Sequence, residues 1–203
     1  MKAIFKITAV AALMAAGLSS AMAASGNGQA QVLIHGEVVP VACTMGPTSA
    51  NGPKDIDMGS WTNSDFKQGT VLYQNLYTVA NSKRTFDITA TGCSGVDPVE
   101  NGQFLLKIAG PMTYPAQHIF ADPGKTTTTA GFTLEAIDQS QSPPAAKLYD
   151  NTDEVLLHKF KSGEHWSDVN GTSVTFTTYM AANNATPGVG HAEAPVTFTV
   201  DYK

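Results

Sequence analysis

Cys43 and Cys93 are the two thiols of a 203-residue chain, and the chemistry open to them depends on what stands beside them. A nucleophilic or metal-binding thiol needs a histidine or a second cysteine at close spacing, and neither flank supplies one. A disulfide needs only an oxidising compartment. The five histidines, His35, His118, His158, His165 and His191, include no His-x-x-x-His pair, so they carry no zinc signature. Asp150, Asp153 and Glu154 are grouped as an acid–base pair or calcium loop would be, but the glycine and ligand spacing of a calcium loop is missing. A solvated turn accounts for them. No Gly-x-Ser-x-Gly elbow and no phosphate-binding glycine loop occurs. The expectation is a chain without catalysis, cofactor or metal, whose one covalent feature is a Cys43–Cys93 disulfide.

The compartment such a disulfide requires is written at the start of the chain. Lys2 and Lys6 flank the beginning of an apolar run over residues 7–18, and Ala21-Met22-Ala23 is a small-x-small cleavage pattern, so residues 1–23 read as a signal peptide. The run is too short to span a membrane, and nothing later approaches about 18 continuous apolar residues. Residues 24–203 then form an exported chain of 180 residues, the size of one domain with a substantial core. Without Lys2 and Lys6 it carries 10 basic against 17 acidic side chains, a net charge of −7, which argues against nucleic acid or an anionic membrane as partner. Closing a loop of about 50 residues with a disulfide removes roughly 4 kcal/mol of unfolded-state entropy on the chain-entropy description.

The elements that hold these residues are strands. Residues 32–41 form a β-branched run interrupted by Gly36 and Pro40, predicting one bent strand that Cys43 ends. Residues 45–54 are turn-rich, and further strands are expected over 70–78, 83–91, 103–108, 131–138, 154–160, 173–181 and 195–202. No segment has helical periodicity, so the fold class is all-β, an antiparallel sandwich. The tyrosines, Trp61 and Trp166 belong to its core and sheet faces rather than to sugar-stacking platforms. The clearest period-2 signal is the last: Ala194, Val196, Phe198, Val200 and Tyr202 alternate with Pro195, Thr197, Thr199, Asp201 and Lys203. A second alternation, Gly28, Ala30, Val32 and Ile34, lies in a small, polar, glycine-bearing segment near the start. By themselves these patterns leave two arrangements open, a sheet completed within the chain or a groove beside the last strand filled by another molecule.

Gly36-Glu37-Val38-Val39 with Cys43, Phe86-Asp87-Ile88 leading into Cys93, then Phe176, Tyr179, Ala181, Thr186-Pro187-Gly188, Ala192 and Phe198-Thr199-Val200-Asp201-Tyr202 resemble, in order and spacing, the type 1 major pilins of chaperone-usher fimbriae. The resemblance spans the whole chain after the leader. It implies an incomplete immunoglobulin-like β-sandwich that lacks its seventh strand and is completed by a donor strand, with residues 24–35 as the N-terminal donor extension and 36–203 as the pilin domain. On that resemblance Gly28, Ala30, Val32 and Ile34 form the donor strand. Val196, Phe198, Val200 and Tyr202 border the acceptor groove, and a periplasmic chaperone pairs with this strand and holds the terminal carboxylate on Lys203. The implied partners are neighbouring pilin subunits in a homopolymer, the chaperone and an outer-membrane usher, with no nucleic acid. The implied location is a fimbrium on the bacterial cell surface that supports adhesion.

The sequence departs from the resemblance at one place: the glycine expected in mid-extension falls on Ala30, with Gly28 one pleat further out. A minor adaptor or tip subunit of the same fimbria has this length too, and a self-complemented exported carbohydrate-binding domain is the alternative from another class. A tip adhesin of that family would need an additional N-terminal lectin domain, for which 180 residues leave no room.

Overall fold

A computed structural model describes residues 41–47, 55–114 and 118–203. Among these the chain forms twelve strands and a few single turns of 3-10 helix. The strands are β1 (Val41–Pro47), β2 (Lys67–Gln68), β3 (Tyr77–Thr78), β4 (Arg84–Gly95), β5 (Gln103–Ala109), β6 (Met112–Tyr114), β7 (Ile119–Phe120), β8 (Ala130–Asp138), β9 (Ala145–Leu148), β10 (Glu154–Lys159), β11 (Ser173–Ala182) and β12 (Thr197–Tyr202). The longer ones follow the alternating stretches of the sequence. In β11, Ser173 and Thr175 are exposed while Phe176 and Thr178 are buried, so one face of the pleat is wet and the other dry.

The strands make two antiparallel sheets. The larger runs β1-β4-β11-β8-β7-β6, with β2, β3 and β9 attached to its path, and the smaller runs β10-β5-β12. Ile88, Phe120, Leu134 and Phe176 from the first sheet pack with Leu106, Ile108 and Val155 from the second, so the core is the interface of a sandwich. A second cluster of Ala90, Phe104, Phe160, Trp166 and Val169 adjoins Cys93. Trp166 stands edge-on to Phe160 at 4.8 Å and to Phe104 at 5.5 Å, and its indole N–H donates to the carbonyl of Val96 at 2.7 Å. Each such side chain contributes about 2–3 kcal/mol by leaving water, and the indole keeps its polar atom satisfied.

Cys43 and Cys93 are bonded across neighbouring strands, with their Cα atoms 4.1 Å apart. The bond sits where the β1–β4 register slips, between the Ala42↔Ser94 and Thr44↔Thr91 pairs. Gly92 supplies the bend with φ +62°, a conformation that side chains with a Cβ disfavour. The N–H of Cys93, which the bulge removes from the ladder, donates to Asn170 Oδ1 at 2.8 Å. A buried donor is thereby kept from going unpaired.

The structure corrects three expectations. Cys43 does not end its strand: β1 continues to Pro47, and because β1 is the edge of its sheet the missing proline N–H costs no ladder bond. Residues 70–78 are not a strand but a 3-10 turn, Val71–Tyr73, followed by the two-residue β3. Leu72 and Leu76, one helical turn apart, pack with Ile119 and Leu148 instead of alternating across a pleat. The last strand begins at Thr197 rather than at Pro195. The start of the expected 32–41 strand lies outside the described residues.

Replacing Cys43 and Cys93 together by serine is expected to lower the unfolding free energy by about 3–4 kcal/mol, the closure entropy of a 50-residue separation. Urea unfolding of oxidised wild type and the double variant measures it. Equal midpoints would show that the β1–β4 ladder does not need the bond.

Candidate functional site

β12 keeps the alternation of its sequence. Thr197 and Thr199 are exposed, whereas Phe198, Val200 and Tyr202 are half-buried. It pairs with β5 from Thr197↔Ala109 to Tyr202↔Phe104, and just beyond its end Lys203 and Gln103 exchange both backbone hydrogen bonds, at 2.7 and 3.0 Å. Antiparallel pairs alternate between bonded and non-bonded, so this exchange sets the phase. The odd residues turn their N–H and C=O to β5, and Phe198, Val200 and Tyr202 turn theirs to the other edge. β12 is the last strand of its sheet, and among the described residues no ladder forms on that edge.

Beside the edge lies a groove of about 1630 Å³. One wall is the chain from Gly190 to Phe198, the other includes Met45 and Gly46 of β1 and the stretch 55–61, and Phe86, Ile88, Phe120 and Leu134 line it between the walls. Phe198 lies with its ring 5.0 Å from Phe176 and 6.1 Å from Phe86. Phe198 is half-buried where β12 borders the groove.

The five residues expected at this place divide. Val196 and Phe198 line the groove. Val200 and Tyr202 pack on the second core cluster instead, Tyr202 edge-on to Trp166 at 5.1 Å and to Phe160 at 5.9 Å. The Tyr202 hydroxyl accepts the N–H of Val99 at 2.7 Å. Lys203 is exposed, and its Nζ contacts both carboxylate oxygens of Glu154 at 2.6 and 2.7 Å. Gly28, Ala30, Val32 and Ile34 lie outside the described residues, as do 1–23 and the boundary at 35. Sequence reasoning did not find the facing wall: Met45 was placed in a loop, and the alternation of Phe86 and Ile88 about Asp87 was the one available signal.

Charged groups tie β12 to its neighbours on the polar side. Lys107 Nζ lies 2.7 Å from Asp201, whose carboxyl this hydrogen bond holds below the usual carboxylate range, while Asp201 raises the Lys107 ammonium above its own. The histidines among the described residues sit singly beside carboxylates: His118 by Asp150, His158 by Glu164, His165 by Asp97 and His191 by Glu193. The Asp150 N–H donates to Asp153 Oδ2 at 2.8 Å across a turn. Among the described residues no three His, Cys, Asp or Glu side chains are placed to hold a metal ion.

The chain is an antiparallel two-sheet β-sandwich with a groove along its last strand. Residues 32–203 match the family of proteins described as fimbrial protein, and the chain belongs to that family. No curated protein matches it in sequence. Among solved structures it is similar to one described as the crystal structure of the P pilus rod subunit PapA, at 17% identity and a TM-score of 0.46, over 85% of this chain and 100% of that one.

Phe198→Ala is expected to destabilise the domain by about 2 kcal/mol, below the roughly 3–5 kcal/mol of a fully buried phenylalanine, because the ring is only partly buried; a urea midpoint unchanged from wild type would remove Phe198 from the core. Asp201 has a depressed folded pKa, so its contribution is present above the unfolded carboxylate value and is lost as pH falls through the folded one. The midpoint difference between wild type and Asp201→Asn should be constant from about pH 8 to 5 and close below about pH 4. A difference that grows on acidification would contradict the Lys107 pairing.

Proposed function

We propose that this chain is a structural subunit of a surface fimbria, exported through the periplasm, and that it polymerises by donor-strand exchange in support of adhesion. The observation that carries this reading is the edge of β12, on which no ladder forms among the described residues, beside a groove that Phe86, Ile88, Phe120 and Phe198 line. A backbone edge with a half-covered apolar face calls for an extended segment that supplies both a ladder and alternate apolar side chains. The alternation of Gly28, Ala30, Val32 and Ile34 has that form. On this reading the segment 24–35 of one subunit enters the groove of the next, with Val32 and Ile34 as the larger of its four alternating side chains. Burial at about 1–3 kcal/mol for each of the larger side chains, added to the ladder, gives a gross gain of several kcal/mol per contact.

Until a second subunit arrives, the edge needs a temporary partner, because an uncovered strand edge pairs with whatever chain it meets. A periplasmic chaperone pairing with β12 and holding the carboxylate of Lys203 fills that role, and an outer-membrane usher is where it is replaced. Ala30 in place of glycine puts a methyl group into the middle of the donor segment.

The experiment is detergent gel electrophoresis of surface extracts, with and without boiling, for the intact chain and for a chain lacking residues 24–34. A ladder that survives detergent, collapses on boiling and vanishes in the shortened chain, which stays folded and oxidised, is the expected result. A single monomer band from the intact chain under every condition would overturn the reading, as would a ladder that persists after the deletion.

A further inference from the structure

The hydrogen-bond phase of the last strand does not stop where the strand does. Upstream of Thr197 the chain joins no ladder, yet the backbone groups of His191 and Glu193 are still bonded, to residues that do not line the groove. The N–H of His191 donates to Thr127 Oγ1 at 2.9 Å, and its carbonyl accepts the Thr127 N–H at 2.8 Å. The N–H of Glu193 donates to Thr126 Oγ1 at 3.1 Å, while its carbonyl accepts from that hydroxyl at 3.0 Å and from the Asp122 N–H at 2.7 Å. Two threonine side chains thus stand in for the neighbouring strand. The fit is close: a Cβ on Gly190 would lie 2.5 Å from Thr127 Oγ1 and 2.8 Å from its carbonyl carbon, so no larger residue enters without moving the strap.

The same alternation turns the N–H and C=O of Ala192, Ala194 and Val196 toward the groove. The whole run 190–198 lines the groove, and within it Ala192 and Ala194 have no backbone hydrogen-bond partner among the described residues. β12 alone offers three residues on the open edge, Phe198, Val200 and Tyr202, and the strap adds three more in phase. We infer that the docking edge for the N-terminal segment of a second copy runs from Ala192 to Tyr202, with Thr126 and Thr127 as positioning residues that hold its first half in register. This rests on the donor-strand reading and specifies its geometry. Eleven residues at about 3.3 Å each span roughly 35 Å, and the twelve residues 24–35 extend about as far, whereas β12 alone would engage half of them.

The test is amide hydrogen exchange of the intact chain in its detergent-resistant polymer, read at single residues. The amides of Ala192, Ala194 and Val196 should be slowed by about a hundredfold or more over free peptide, as those of Phe198 and Val200 are. If Ala192 and Ala194 exchange freely while Phe198 and Val200 are protected, the edge begins at β12 and the inference falls while donor-strand pairing stands. If Phe198 and Val200 also exchange freely, both fall. Thr126→Val with Thr127→Val, which keep shape and remove the hydroxyls, should expose the His191 and Glu193 amides and slow polymer formation about tenfold, with serine at both positions restoring it. Assembly at the wild-type rate with those amides exposed would overturn the positioning role.

Discussion

A row of backbone N–H and C=O groups along one side of β12 is the constraint on which the rest of the structure turns. Each such group, if buried without a partner, costs about 1–3 kcal/mol, so the edge must either face water or be paired. The groove removes the first option for an apolar face and prepares the second. Lys203 and Gln103 exchange their two backbone bonds and fix which residues look outward. Phe198, turned inward by the same pleat, marks where the core is half finished. On the proposed reading, the second subunit contributes what an ordinary sandwich carries in its own chain.

Much of this could be read from the residues, for identifiable reasons. The alternation from Ala194 to Tyr202 is local, and the structure keeps it, with the threonines exposed and the apolar residues half-buried. The disulfide was legible in two cysteines that have no histidine or third cysteine at close spacing, and it is formed. What periodicity does not carry is which part of a distant strand a side chain meets. Nothing in the spacing of Phe198 and Tyr202 tells that one lies against Phe86 and Phe176 and the other against Phe160 and Trp166. The threonine run from 126 to 129 looks like any polar connector until His191 and Glu193 are laid beside it. The expected strand over 70–78 failed because Leu72 and Leu76 obey a helical spacing that the β-rich composition hid. Strands of two to four residues, such as β2, β7 and β9, are too short to carry a pattern.

The two structural devices around the groove differ in kind. β1 is held by a covalent bond at a bulge whose displaced amide is satisfied by Asn170. The segment before β12 is held by two threonine hydroxyls and two backbone hydrogen bonds, and the exposed Lys125–Glu193 ion pair adds little in water. One wall is fixed through covalent chemistry and the other through hydrogen bonds.

The position of the disulfide also determines how the domain carries force. Cys43 is the third residue of β1, and its partner lies deep in the sheet on β4, whose other neighbour is β11. A pull on the chain ahead of Val41 would load two residues of hydrogen-bonded strand and then a covalent bond. From there the tension spreads into β4 and β11 as shear across many parallel hydrogen bonds, which resists far better than peeling them one by one. β1 is an edge strand by topology and an anchored one in mechanics.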